Sequence, residues 1–303
     1  MVGALLALLS SACFALNVTA LRRGVLNASV LQAIAVTVPI GVPFFLLTLW
    51  IFDCYDTLLD ITSSSWIYYA IAGITHFVIG RYCNYQATKL LGATQAGPVT
   101  QLGLLISVFS AFFFLQENIN ITLIAGILLI LAGPLVILIG KSKKDSVVTK
   151  SGIKINYKEG YLWGLMCAVC FGLSPFLIKL GLNDGGLKEN IVGCFVSYLN
   201  ATILVYIVLL AKKEPLINNY KMNKSSLQWF LVTGFLVFLS QLLKYMALAF
   251  APITIVEPIQ RTTVIFRILF SWMINRKHEI IDLQTILGIF VSLAGVYAII
   301  LNI

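Results

Sequence analysis

Long apolar runs separated by short polar gaps leave this chain few ways to fold. A helix rising 1.5 Å per residue needs about twenty apolar residues to cross the hydrocarbon of a bilayer. Stretches of that length recur from one end of the sequence to the other, and they predict helices near 2–21, 29–51, 66–89, 93–114, 119–140, 160–180, 191–211, 226–249, 253–275 and 282–302. Hydrophobic residues make up 59% of the 303 positions and charged residues 11%, where a soluble domain holds about 45–50% and about 25%. The expected fold is an all-α integral membrane protein of ten transmembrane helices. The first run starts at once, with no basic segment ahead of it and no small-residue cleavage site near Phe14 to Asn17, and so reads as a spanning helix rather than a removable signal.

The net charge of +9 is lodged in the gaps. The longest polar stretch, 141–159, holds Lys141, Lys143, Lys144, Lys150, Lys154 and Lys158 and divides the chain into units 1–140 and 160–303. With ten spans, alternate loops share a face. One face receives Arg22, Arg23, Lys89, the six linker lysines, Lys212, Lys213, Lys221, Lys224, Arg276 and Lys277; the other receives only Lys179 and Lys188, with Asp53, Asp56, Asp60, Glu117, Asp184 and Glu189. By the positive-inside rule the basic loops are cytoplasmic and both termini lie outside, in what is expected to be the plasma membrane. No arginine patch interleaves with exposed aromatics, so nucleic acid is not an expected partner.

The two units repeat each other. Gly3 to Asn17 reads GALLALLSSACFALN and Gly160 to Ser174 reads GYLWGLMCAVCFGLS, which sets Cys13-Phe14 against Cys170-Phe171 at an offset of 157. Tyr85, Ala87, Thr94 and Pro98 match Tyr245, Ala247, Thr254 and Pro258 at 160, and Glu117, Gly126 and Gly133 match Glu279, Gly288 and Gly295 at 162. Five helices per unit is an odd number, so the second unit enters the membrane inverted, a plan common among secondary transporters that bind substrate near mid-bilayer.

At these residues the sequence resembles the EamA-type members of the drug/metabolite transporter superfamily. The first half carries Tyr85-x-Ala87, Gly92-Ala93-Thr94-x-Ala96-x-Pro98-Val99, Phe113-Phe114-Leu115-x-Glu117, Gly126 and Gly133; the second carries Tyr245-x-Ala247, Thr254-x-x-x-Pro258, Glu279, Gly288 and Gly295, reaching Glu279 through Arg276-Lys277-His278 rather than an apolar run. The resemblance covers nearly the whole chain outside the linker. It implies a ten-helix carrier of small metabolites, often an exporter.

Ionisable side chains within spans cost about 2.5–3.5 kcal/mol each at a helix centre and normally face a cavity or one another. Six call for explanation: His76, Arg81, Lys244, Glu257, Arg261 and Arg267. At about 100° per residue, Arg81, Asn84 and Thr88 share one sector with Tyr85 beside it, and Gln241, Lys244 and Tyr245 share the matching sector of the second half. Glu257, Gln260, Arg261 and Arg267 also share a sector, and Gln101 is the first-half counterpart of Arg261. These residues are expected to line one central substrate chamber, with His76 and Glu257 as candidates for proton coupling. Four basic groups against one acidic group point to an anionic or zwitterionic substrate, since guanidinium suits carboxylate or phosphate. Plainer readings stand beside these. Lys244 can snorkel, Glu257 and Arg261 at i,i+4 can neutralise each other, and His76 can simply pack. Pro98 and Pro258 mark kinks, and Glu117 and Glu279 are expected to cap the helix that follows each.

The expected function is therefore a secondary transporter working by alternating access, with the lipid bilayer and a small molecule as partners, no cofactor, no metal and no catalysis; homodimerisation is left open. A channel or scaffold lacks support, because no selectivity filter is legible and a scaffold has no use for buried arginines. An intramembrane enzyme would have to rest on Gly172-Leu173-Ser174, which Pro175 follows, with His76 as its base. The Cys167-Ala168-Val169-Cys170 pair lies in an apolar helix and reads as packing.

Overall fold

The computed structural model describes residues 1–117, 120–139, 155–182, 186–211, 221–276 and 283–300, and among them every regular element is helical. Most of the lysine-rich connector, with Lys212, Lys213, Lys277 and Glu279, lies outside the described residues. The first half runs through α1 (Val2–Val25), α2 (Val30–Thr37), α3 (Gly41–Ile51), the short α4 (Tyr55–Leu59), α5 (Ser63–Gly73), a π-helical turn (Ile74–Gly80), α6 (Arg81–Leu91), α7 (Ala93–Thr100), α8 (Gly103–Leu115) and α9 (Ile121–Ile139). The second half has α10 (Tyr157–Gly181), α11 (Gly186–Ala211), α12 (Lys224–Phe250), α13 (Ile253–Gln260), α14 (Thr263–Ile274) and α15 (Leu283–Ile300).

Among the described residues, five helical segments are long and apolar enough to cross a membrane: Val2–Val25, Val30–Ile51 (α2 and α3 together), Tyr157–Gly181, Gly186–Ala211 and Lys224–Phe250. α9 and α15 occupy the fifth and tenth expected spans, and the third, fourth and ninth are helical but interrupted; the sequence explains the last two breaks. Pro98 and Pro258 withdraw a backbone donor from α7 and α13, and each helix tightens and stops a few residues later, before α8 and α14 resume. Local chemistry sets other ends. Ser29 caps α2, accepting from Gln32 N at 3.1 Å while Gln32 Oε1 accepts from Ser29 N at 2.9 Å, a reciprocal capping box. Gly92 takes φ +89°, a conformation open to glycine, and allows α6 to reverse directly into α7.

The same contacts are made twice. Tyr85 Oη donates to Thr37 Oγ1 at 3.0 Å, and Tyr245 Oη donates to Ser197 Oγ at 3.0 Å, each across 48 residues. Gly24 lies against the Phe230 ring as Gly181 lies against Tyr69, and Gly73 meets the Ser197 backbone as Gly234 meets that of Thr37. The register between the halves changes inside one helix. Buried Ser65, Tyr69 and Gly73 pair with buried Ser226, Phe230 and Gly234 at an offset of 161, whereas Tyr85 and Tyr245 pair at 160. The first half thus holds one extra residue between Gly73 and Tyr85. The π-helical turn Ile74–Gly80 absorbs it, while α12 runs on as an uninterrupted α-helix.

Loop contacts sort into two groups. Arg22 Nη1 donates to Thr88 O at 3.0 Å and Lys89 O at 2.5 Å, closing the end of α6, and Gln32 Nε2 donates to Lys221 O at 3.1 Å. In the other group Lys188 Nζ donates to Asp53 O at 2.7 Å, and Glu117 accepts from Ile253 N at 3.0 Å and Thr254 N at 2.9 Å. The last pair corrects an expectation. Glu117 caps α13, in the opposite half, rather than the helix that follows it in sequence, because the reversal at Ala251-Pro252 brings the first donors of α13 to the carboxylate.

Packing between the halves depends on missing side chains. A Cβ at Gly73 would sit 2.2 Å from Ser197 O and 2.7 Å from its carbonyl carbon, both fixed backbone atoms. Gly73→Ala should therefore cost about 1–3 kcal/mol and lower the melting temperature in detergent by several degrees, while Leu128→Ala on the exposed outer surface of α9 should leave it nearly unchanged.

Candidate functional site

The helices that carry Pro98 and Pro258 break at matching places and meet there. Where α7 gives way to α8, Leu104 N turns to Gln101 O at 2.9 Å, and Thr100 O accepts instead from Arg261 Nη1 at 3.4 Å. In return Gln101 Nε2 donates to Arg261 O at 3.0 Å, beside the break between α13 and α14. Each broken helix thus supplies a side chain to the other's backbone, which is how interrupted helices persist where water is scarce.

Beside this crossing lies a cavity of about 50 Å³, room for a few waters at roughly 10–15 Å³ each. Its lining includes His76, Gln101, Gln241, Lys244, Glu257, Gln260, Arg261 and Arg267 of the expected residues, together with Phe14, Phe171, Gly97, Thr100, Thr263 and Val264. Glu257 is fully buried and held by two cations. Lys244 Nζ lies 2.7 Å from one carboxylate oxygen, and Arg261 Nη2 contacts the other from one helical turn away. Of the plainer readings, the i,i+4 pairing of Glu257 with Arg261 is present, whereas Lys244 does not snorkel but turns inward and shares the carboxylate. The set keeps a net positive charge, since one carboxylate faces Lys244, Arg261 and Arg267.

An aromatic wall faces the charges. His76 stacks on Phe171 with ring centroids 4.2 Å apart and 16° between planes. Phe171 meets Phe14 edge-on at 6.0 Å, and the Arg267 guanidinium lies over Phe14 at 5.5 Å, a cation–π contact. Phe14 and Phe171 are the repeat equivalents at offset 157, so the wall is built from the same position of both halves. Sequence reasoning read Cys13-Phe14 and Cys170-Phe171 as markers of the repeat and missed this role; an aromatic recurring at one position of both units was the signal.

The lining is unevenly charged. At positions 160 apart, Asn84, Gly97, Gln101 and Ser107 of the first half correspond to Lys244, Glu257, Arg261 and Arg267 of the second. Every lysine, arginine and carboxylate bordering the cavity therefore comes from the second half.

Arg81, Asn84, Tyr85 and Tyr245 are buried but do not border this cavity. Arg81 donates from Nη1 to Thr37 O at 3.3 Å and from Nη2 to Tyr198 Oη at 2.8 Å, with its guanidinium over the Phe77 and Tyr198 rings. Tyr85 and Tyr245 close the equivalent contacts to Thr37 and Ser197. Asn84 is buried with Oδ1 unbonded. One face of α6 thus turns toward α2 and α11. The wheel geometry set Arg81, Asn84 and Tyr85 in one sector and Gln241, Lys244 and Tyr245 in another; of these, Gln241 and Lys244 border the cavity and the other four do not.

The sequence profile of the EamA-like transporter family matches the chain over residues 1–139 and again over 158–301. A solved structure described as "Crystal structure of protein" is similar in fold, with a TM-score of 0.68 and 17% identity over 98% of this chain and 97% of that one. No curated protein matches the sequence. With apolar helices suited to lipid and a family match that takes in both halves, this integral membrane protein belongs to the EamA-like transporter family of the drug/metabolite transporter superfamily.

Proposed function

We propose that the protein is a secondary carrier for a small organic anion or zwitterion, working by alternating access between two five-helix halves inserted in opposite senses. The observation that carries this reading is the buried chamber where Lys244, Arg261 and Arg267 outnumber Glu257. Placing charge there is costly, and an anionic guest is the chemistry that offsets it. Substrate carboxylate would engage the arginines, which offer paired donors, while Gln101, Gln241 and Gln260 supply neutral hydrogen bonds. Opposite insertion is supported by contacts that recur at a fixed offset, and ten spans by helices at each expected place.

Counterflow in proteoliposomes tests the reading with labelled short carboxylates, amino acids and amines. Uptake should saturate and favour carboxylate-bearing solutes over amines. Arg261→Ala and Arg267→Ala should each raise the half-saturation concentration about tenfold or more, the scale of one charge-assisted hydrogen bond. Wild-type uptake limited to amines, or arginine variants that carry every carboxylate as the wild type does, would remove the proposal.

The topology has its own test. The two groups of loop contacts fit a sorting of the loops onto two faces, and the excess of lysine and arginine in the first group is what assigns it to the cytoplasmic side, with both termini outside. In whole cells a membrane-impermeant thiol reagent should label Lys188→Cys but reach Lys221→Cys only after permeabilisation; the reverse order would invert the orientation.

A further inference from the structure

The extra residue of the third helix has a chemical consequence at the cavity. The helix keeps one register with its counterpart through Gly73 and another from Tyr85 onward, and the turn between them is the π-helical segment that contains His76. The positions of α12 that correspond under the two registers are Leu236 and Val237, both apolar. The second half therefore has no equivalent of His76. The imidazole is 4% exposed, borders the cavity and makes no hydrogen bond among the described residues; its Nδ1 is buried without a partner. The ring stacks on Phe171 and meets Phe77 edge-on at 4.9 Å, so aromatic packing rather than hydrogen bonding holds it. A neutral imidazole offers one donor and one acceptor, and a buried polar group left unbonded calls for a partner that the protein itself does not supply.

We propose that the one-residue insertion makes His76 the specificity-determining residue of the chamber, hydrogen-bonding a second polar group that the substrate carries beside its anionic one. This rests on the anion reading above. The cations of the second half fix the charged end, and His76 reads what is attached next to it. A site built to bond a polar substituent rejects the analogue that lacks it.

A cavity this small calls for small probes. Propionate, lactate, pyruvate and alanine share three carbons and a carboxylate and differ only at the second carbon. Titration calorimetry on the full-length protein in detergent should show the wild type binding at least one of the three substituted acids about tenfold more tightly than propionate. His76→Phe keeps the ring stacked on Phe171 but cannot hydrogen-bond. It should bring that preference below about twofold and leave propionate binding within twofold of the wild type, which also shows the variant is folded. His76→Gln, which can still donate and accept, should recover part of the preference. A preference that survives in His76→Phe, or a wild type that binds all four acids alike, overturns this inference and leaves the anion site standing. Failure of the wild type to bind any of the four overturns the anion reading, and the role of His76 with it.

Discussion

A carbonyl freed inside a bilayer has no water to turn to, and the centre of this protein follows from how Thr100 O is satisfied by a side chain of the opposite half. Proline interrupts a helix in each half at the same place. The interrupted helices must then lie against each other, because Gln101 and Arg261 exchange hydrogen bonds across the breaks. That crossing fixes where α7 and α13 end. Their ends place Glu257 one turn before Arg261 and opposite Lys244 on α12. The arrangement is anchored at its far end by Glu117, which binds the first two donors of α13. The charged chamber is a product of this geometry as much as of the residues that line it.

Much of the fold was legible because lipid imposes a single rule on length. Runs of about twenty apolar residues give helices wherever they occur, and the repeat of Cys-Phe, Tyr-x-Ala and Pro gave the matching of the halves. The charged core of the site was legible too, since Lys244, Glu257, Arg261 and Arg267 stand out against apolar surroundings. Two kinds of information were not. Which neighbour a helix face meets depends on packing between distant segments, so Arg81 and Tyr85, correctly placed on a common face, turned out to contact Thr37 and Tyr198. The change of repeat offset from 157 to 160 and 162 does not by itself say where the extra residues lie. The pairing of Ser65, Tyr69 and Gly73 with Ser226, Phe230 and Gly234 puts one insertion inside a helix, where it appears as a π turn rather than a longer loop.

Close approach and charge divide the labour in this molecule. Contacts that bring the halves together are made by residues with little or no side chain, such as Gly73 on the Ser197 backbone and Gly103 on that of Ala168, and by hydroxyl pairs such as Ser10 with Ser240. The buried ion pairs lie beside the crossing, and other buried polar groups, such as Arg22 on Thr88 O and Asn275 on Thr19 O, hydrogen-bond backbone carbonyls. Helices in lipid gain little from burying apolar surface against one another, so close backbone approach and hydrogen bonds carry their association.

The uneven distribution of charge between the halves bears on energetics. A carrier assembled from two identical inverted units would rest equally often facing each side, since exchanging the units' packings would reproduce the same molecule. Here the exchange moves a lysine, two arginines and a glutamate into a different set of surroundings. In a carrier that alternates between two such packings, a charge difference of this kind gives the empty state a preferred orientation and makes its return step unequal in rate in the two directions. Influx and efflux then differ in maximal rate and half-saturation, while the gradient still sets the net direction.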